Sequence, residues 1–441
     1  MSLTPNSSKY HPALLETFFS RLGVRLPGSH LLVAYSGGLD STVLAASMAE
    51  LAHRHDFDVT LAHVNHHLRA EADREEAFCR DFAAGMGLPI RRVSLDPTGR
   101  SGESIEAWAR RERYAALERM AGEVDARWIL TAHHADDQAE TVLMRLSQQA
   151  PLLSLAGIRP SRGRLLRPLL PFTKRQLRRW AVAQGLKWVD DPSNNDTSFL
   201  RNRLRHGMLK RMVAGDPTTV ATLLGLARMA QSYETQCAQI AKEFMGQARA
   251  GALTGTFTLP TGSLLALEDD IFKLTVRGCL QRYWGSAGQV SGHHWQNFRQ
   301  FVRVGRVGKV FDLLPAVRVL MDRGELIFYP PERESGPEQC CLKVGRTQWG
   351  SHNFQVFSED SQAGLTGLYL RPWRAGDRVR FRPEGRPKRI SDIFINAQLN
   401  RLEKNHWPLV VTARDEIIWV PGLMNPRSIM QVDRWSVTWR R

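Results

Sequence analysis

The sequence predicts an α/β protein built on a parallel sheet, followed by a mostly helical middle domain and a small α+β or β-rich C-terminal domain. Three observations predict it. Strand and helix patterns alternate through the first two hundred residues, the order expected of a parallel sheet covered by helices on both faces. A glycine pair, Gly37-Gly38, separates the apolar run Leu31-Leu32-Val33-Ala34 from a helical pattern that starts at Ser41. Beyond Cys340, short runs of alternating apolar and polar residues are broken by glycine and proline, as in short strands.

Taken in order, a helix is expected over 11–22, strands over 30–35, 58–64, 90–95 and 127–131, and helices over 41–53, 72–86 and 104–121. The helical segments carry apolar residues at spacings of three and four. Pro160, Pro168 and Pro171 then interleave with Arg159, Arg162, Arg164 and Arg167, before a helix over 174–184, a turn over 190–196 and a helix over 199–213. Asp216-Pro217 ends the first domain, and a long helix over 218–246 opens the second. The run from Pro330 to Pro337 reads as a linker. The expected domains are 1–216, 217–330 and 331–441.

Charge adds a partner class. The 441 residues include 60 Lys or Arg against 44 Asp or Glu, a formal charge of +16. Such an excess suits a polyanion, most simply nucleic acid, whose phosphates dominate affinity through counterion release. The excess is concentrated: 14 basic residues face 3 aspartates between Arg159 and Arg211, and 15 face 7 acidic residues over 366–441. Two positive surfaces are therefore expected, placed to span a folded RNA. No run approaches the roughly 18 apolar residues of a membrane span. The N-terminus lacks the pattern of a secretory signal. Five scattered cysteines, with no Cys-x-x-Cys pair, fit a reducing, cytoplasmic setting.

The glycine loop carries the chemistry. A strand that feeds glycines and then a helix aims a helix N-terminus and a row of backbone N–H groups at one spot, which suits a phosphate. Ser36-Gly37-Gly38-Leu39-Asp40-Ser41 lacks the Gly-Lys-Ser/Thr of the Walker type and the third glycine of the dinucleotide fingerprint. Four more polar clusters fall near strand ends or on adjoining helices. His63-Val64-Asn65-His66 closes the second strand, Arg110 and Arg113 share a helix face beside Tyr114, and His133 to Glu140 follows the fourth strand. The fourth, Asp191-Pro192-Ser193-Asn194, lies in a later turn. Adjacent carboxylates at a helix start cap its dipole or hold Mg2+ beside phosphates. Adjacent histidines on extended backbone point in opposite directions, so His133-His134 is a poor zinc pair.

In this order, joined by Arg167-Pro168-Leu169-Leu170 and Arg201-Asn202-Arg203-Leu204-Arg205, these motifs resemble the tRNA(Ile)-lysidine synthetases of the PP-loop ATP pyrophosphatase superfamily. The run Arg371-Pro372-Trp373-Arg374-Ala375-Gly376-Asp377-Arg378 is similar to the family's terminal RNA-binding domain. Ala132 stands where the family usually has glycine. The resemblance implies a Rossmann-like PP-loop ATPase domain, ATP and Mg2+, free lysine and an isoleucine tRNA of anticodon CAU. The wobble cytidine is adenylated at its C2 oxygen, and the ε-amine of lysine then displaces AMP to give lysidine. Ser36, Gly37, Gly38, Leu39, Asp40, Ser41 and His63 are expected to bind ATP, with Asp40 and Asp136 on Mg2+. Asp40, His133, Asp136, Asp137, Arg110 and Arg113 are the catalytic candidates, and Asp137 and Glu140 the lysine-binding pair. Arg201, Arg203, Arg205, Arg371, Arg374 and Arg378 are expected on tRNA, with Phe381 as a stacking candidate and Trp373 either stacking or, the commoner role for such an aromatic, packed in the domain core. A homodimer and a monomer both fit the sequence.

Rival readings fare worse. A tRNA thiolase commonly needs a reactive cysteine or a cysteine pair, and these cysteines form no such arrangement. A glutamine-dependent amidotransferase is disfavoured because Ser2 follows Met1. A non-catalytic RNA-binding module leaves the ordered Asp and His clusters unexplained.

Overall fold

The computed structural model describes residues 9–65, 72–95, 105–190, 203–285, 288, 290–358, 365–380, 385–424 and 435–440. They form two compact units, 1–234 and 235–441, and the division falls inside the helix Thr219–Met245.

The first unit begins with α1 (Ala13–Arg21), β1 (His30–Ala34), α2 (Leu39–His55), β2 (Asp58–Asn65), α3 (Ala72–Gly85) and β3 (Ile90–Ser94). It continues through α4 (Ile105–Glu123), β4 (Trp128–Leu130), α5 (Ala135–Ser147), β5 (Ser161–Arg162), β6 (Leu165–Leu166) and α6 (Lys174–Ala183). The sheet order is β3-β2-β1-β4-β6-β5, parallel except at the β5–β6 edge. The expected parallel, helix-covered sheet is present. β1 lies inside it because its apolar residues serve both faces. Leu31 and Val33 join a core with α1, α2 and α6, while Leu32 joins Ala116, Leu117 and Met120 of α4.

That order decides where a ligand goes. From β1 the chain builds outward to β2 and β3, then returns to lay β4 on the other side of β1. The crevice beyond the carboxyl ends of β1 and β4 is thus a switch point, where open α/β sheets bind ligands. Two segments emerge into it: Tyr35 to Gly38 after β1, and Thr131 to His134 after β4.

The second unit carries three further helices of five to sixteen residues, over 261–265, 269–284 and 292–304, with a five-stranded sheet between 249 and 329. Phe257 stacks between Tyr283 and Phe328, each ring centroid 4.6 Å away. Four-, three- and two-stranded sheets follow, with two short helices over 390–396 and 401–405, which gives the β-rich end that the alternation predicts. Asn400 caps the second helix by accepting from the Glu403 N–H, while the Glu403 carboxylate accepts from the Asn400 N–H.

Gly37 is the strictest backbone requirement near the crevice. Its φ is +79°, and a Cβ there would sit 3.1 Å from Cys79 Sγ, whereas a Cβ on Gly38 would find only ordinary contacts of 3.6 Å and more. Gly37→Ala should cost about 1–2 kcal/mol for the left-handed backbone, with Gly38→Ala costing clearly less. Urea unfolding of the two variants checks this, and equal losses would mean that Gly37 is not conformationally required.

Candidate active site at the switch point

The loop after β1 is organised by Ser41. Its hydroxyl accepts from the Ser36 N–H at 3.2 Å, lies 3.1 Å from the Ser36 hydroxyl and donates to the Gly38 carbonyl at 3.0 Å. Gly38 is the N-cap of α2 and has no side chain to offer, so no side chain caps this helix. The first N–H groups of a seventeen-residue helix therefore face the crevice, as an anion requires. Leu39 is buried in the core and offers a ligand only its N–H. From β2, buried His63 places Nδ1 3.0 Å from the Tyr35 carbonyl, bracing the strand end.

Opposite the loop, α5 starts at Ala135 with His134 as its N-cap. The His134 ring is 3% exposed and stands 3.5 Å from three carboxylates: Nε2 from Asp40 and Asp137, Nδ1 from Asp136. The Asp137 carboxylate also accepts from the His134 N–H at 2.9 Å. Burial opposes a charged imidazole, but Asp137, Asp136 and Asp40 overcome it and hold the group up to about 10. Burial also works against the Asp136 anion, yet His134 and the Lys174 N–H keep its carboxyl below the usual range.

Two more cations complete the cluster. The capping box of Thr173 and Gln176 sets the start of α6, where the Lys174 N–H donates to Asp136 at 2.7 Å and Nζ lies 3.8 Å from Asp40. Arg205, on a π-helical turn over Leu204–Leu209, donates to Glu140 from Nε at 2.5 Å and from Nη2 at 3.0 Å, and lies 3.6 Å from Asp137. Glu140 is only 2% exposed. Carboxylates on α2 and α5 thus alternate with cations from three separate segments.

Comparison with known proteins adds the family. A PP-loop domain model matches residues 12–212, and a TilS substrate C-terminal domain model matches residues 368–439. The tRNA(Ile)-lysidine synthase of Pseudomonas syringae pv. tomato is 37% identical over 456 residues, spanning 99% of this chain and 97% of its own. The chain belongs to the tRNA(Ile)-lysidine synthase family. The relative from Ralstonia nicotianae is 32% identical over 92% of both chains, and that from Alkalilimnicola ehrlichii is 45% identical over 43% of both.

Against this geometry the expected lysidine synthase residues sort into groups. Asp40, Asp136, Asp137 and the Ser36–Ser41 loop converge on the crevice. His133 Nδ1 lies 3.0 Å from the Thr131 hydroxyl, and the neighbouring His134 takes the central place among the three aspartates. Arg110 and Arg113 stand on the exposed side of α4, Arg110 over the Tyr114 ring at 5.1 Å. Glu140 already holds a cation, Arg205, and so Arg205 points inward rather than to solvent. Arg203, Arg374 and Arg378 are exposed. Arg371, expected on tRNA, is instead a core residue, 1% exposed, with bonds of 2.8 Å to Asp377 and 2.6 Å to Asp415. Trp373 is partly buried against Phe394, with its indole N–H on Asn405. Arg201, Phe381, His66 and the Asp191–Asn194 motif lie outside the described residues. Sequence reasoning missed His134 and Lys174. The opposed directions of adjacent histidines and the Thr-x-x-Gln box at 173–176 were the available signals.

The His134 imidazole, raised from 6.5 in the unfolded chain to about 10, stabilises the fold fully below pH 6.5 and progressively less as pH rises through 10. Urea midpoints of the metal-free protein should fall over this window, and His134→Gln should flatten the fall. An unchanged slope in the variant would show that His134 is not the charged centre. Arg371→Met should destabilise the second unit by about 3 kcal/mol by removing the guanidinium that pairs Asp377, read as a lower urea midpoint. Retained stability with weakened tRNA binding would return Arg371 to the RNA surface.

Proposed function

We propose that this chain joins free lysine to carbon 2 of the wobble cytidine in an isoleucine tRNA of anticodon CAU, converting ATP to AMP and pyrophosphate. The observation that carries the reading is the meeting, at one switch point, of an uncapped helix N-terminus and a carboxylate cluster in a lysidine synthase family member.

The chemistry divides into two displacements. In the first, the C2 oxygen of the cytidine attacks the α-phosphate of ATP, the bond to the β-phosphate breaks and pyrophosphate leaves. Backbone N–H groups at the start of α2 and the hydroxyls of Ser36 and Ser41 face the charge that accumulates on it. In the second, the ε-amine of lysine attacks carbon 2, the bond from carbon 2 to oxygen breaks, and that oxygen departs with AMP. Asp137 and Glu140 offer paired negative charge for the ammonium before it loses its proton. Arg110, Arg113 and His133 are assigned to the adenylated base.

Asp40 and Asp136 are the residues that would hold Mg2+. Asp40 Oδ1 is shielded from solvent without a hydrogen-bond partner, which fits a cation-directed oxygen, and Mg2+ needs only one or two carboxylates when phosphates complete its shell. Bound there, it would offset phosphate charge. Exposed Arg203, Arg374 and Arg378 are assigned to the tRNA backbone. No helix among the described residues is long and apolar enough to cross a membrane.

A thiolase reading gains nothing from the thiol beneath the loop. Burial, with Glu75 and Glu76 nearby, pushes Cys79 up to about 12, so it carries almost no thiolate at neutral pH.

The decisive assay combines the protein with ATP, [14C]lysine and unmodified tRNA. Label should enter the RNA with release of AMP and pyrophosphate, and absence of all three removes the proposal. Asp40→Ala should slow pyrophosphate release about 100-fold or more while leaving tRNA affinity within about twofold. Parallel loss of tRNA binding would refute this division of roles.

A further inference from the structure

The two carboxylates assigned to the lysine ammonium are already holding a cation. Arg205 makes two bonds to Glu140 and an ion pair to Asp137, and the Glu140 carboxylate is almost completely removed from water. A buried carboxylate needs such a partner, because the desolvation penalty of an unpaired charge runs to several kcal/mol. With Arg205 on both oxygens the Glu140 carboxylate is 2% exposed, so a guanidinium and an ammonium compete for access to this pair.

The position of Arg205 gives the competition a direction. Its turn is packed on α5 through Leu209, which touches the cluster of Ala139, Val142 and Leu143. The turn is π-helical over six residues, a rare geometry concentrated at functional sites. Two residues earlier Arg203 is exposed, in a segment dense in basic residues. A phosphate backbone arriving there draws guanidinium groups outward, since bidentate arginine–phosphate contacts are strong and need no buried carboxylate.

We propose that Arg205 is a built-in occupant of the lysine pocket: it pairs Glu140 and Asp137 until RNA phosphate claims it, so that lysine binds productively only after tRNA. The idea rests on the lysine-pocket assignment made above. It gives the buried Glu140 carboxylate a charge partner in the empty enzyme. It also delays capture of the nucleophile until an RNA is in place.

The test measures [14C]lysine binding to full-length protein by equilibrium dialysis, with and without tRNA, for wild type, Arg205→Ala and Glu140→Gln. In wild type, tRNA should tighten lysine binding by about tenfold, within the usual range of coupling between two sites, and lysine should tighten tRNA binding by the same factor. Arg205→Ala should bind lysine tightly without tRNA and lose the enhancement. Because that variant removes both Arg205 bonds to Glu140, its melting temperature is measured as well: it should be lowered, and lysine should restore it more than alanine does. Weaker lysine binding in Arg205→Ala, with Glu140→Gln also weakened, would overturn the occupant role and leave the pocket assignment standing. Lysine binding unaffected by Glu140→Gln in every condition would overturn both.

Discussion

The structure of the site depends on a buried imidazolium. Asp40 comes from the β1 loop side and Asp136 and Asp137 from the helix after β4, and three carboxylates cannot share a poorly hydrated crevice without a compensating cation. His134 supplies it from the centre, at 3.5 Å to each. Because its own backbone is the N-cap of α5, the residue that neutralises the cluster also aims two of its members. Lys174 and Arg205 extend the same logic outward, tying α6 and the turn over 204–209 to the ends of β1 and β4. Removing any one of these charges alters the balance of the others, so the cluster behaves as a unit.

The architecture was legible in the sequence wherever the signal was local. The unbroken apolar run of β1, the glycines after it and the alternation of strands with helices each depend on neighbours within a few residues. The sheet order then placed the two expected polar segments side by side. The central role of His134 was harder to read. Adjacent histidines diverge, but which one turns inward is set by the path of β4 and the entry into α5. The pairing of Glu140 with Arg205 and the burial of Arg371 were illegible for a shared reason. Exposed and buried charged residues look identical in sequence, and their partners, Arg205 and Asp415, are 65 and 44 residues away. Lys174 was hidden likewise, since its contact with Asp40 spans most of the domain.

Charge excess proved informative about partner class but not about individual arginines. The same overall surplus includes Arg371, which is consumed by the fold, Arg205, which is consumed by the site, and Arg374 and Arg378, which remain at the surface. A basic tract therefore contains three physical populations, and only exposure separates them. Long-range attraction of RNA depends on the sum, whereas contact depends on the exposed subset.

In the proposed reaction every participant brings charge to this crevice: polyphosphate, the RNA backbone and a lysine ammonium. A site built of unpaired anions and cations would have to bury them uncompensated between turnovers, at a cost larger than most domains can carry. Pairing them internally removes that cost, and binding becomes exchange of one partner for another rather than formation of new ion pairs. Exchange is unfavourable for a ligand of the wrong geometry and close to neutral where the replacement bonds match the lost ones, so the mismatch supplies the discrimination. The alternating arrangement from Asp40 through His134 and Asp137 to Arg205 and Glu140 is thus both the support of the fold at the switch point and a filter on what can enter it.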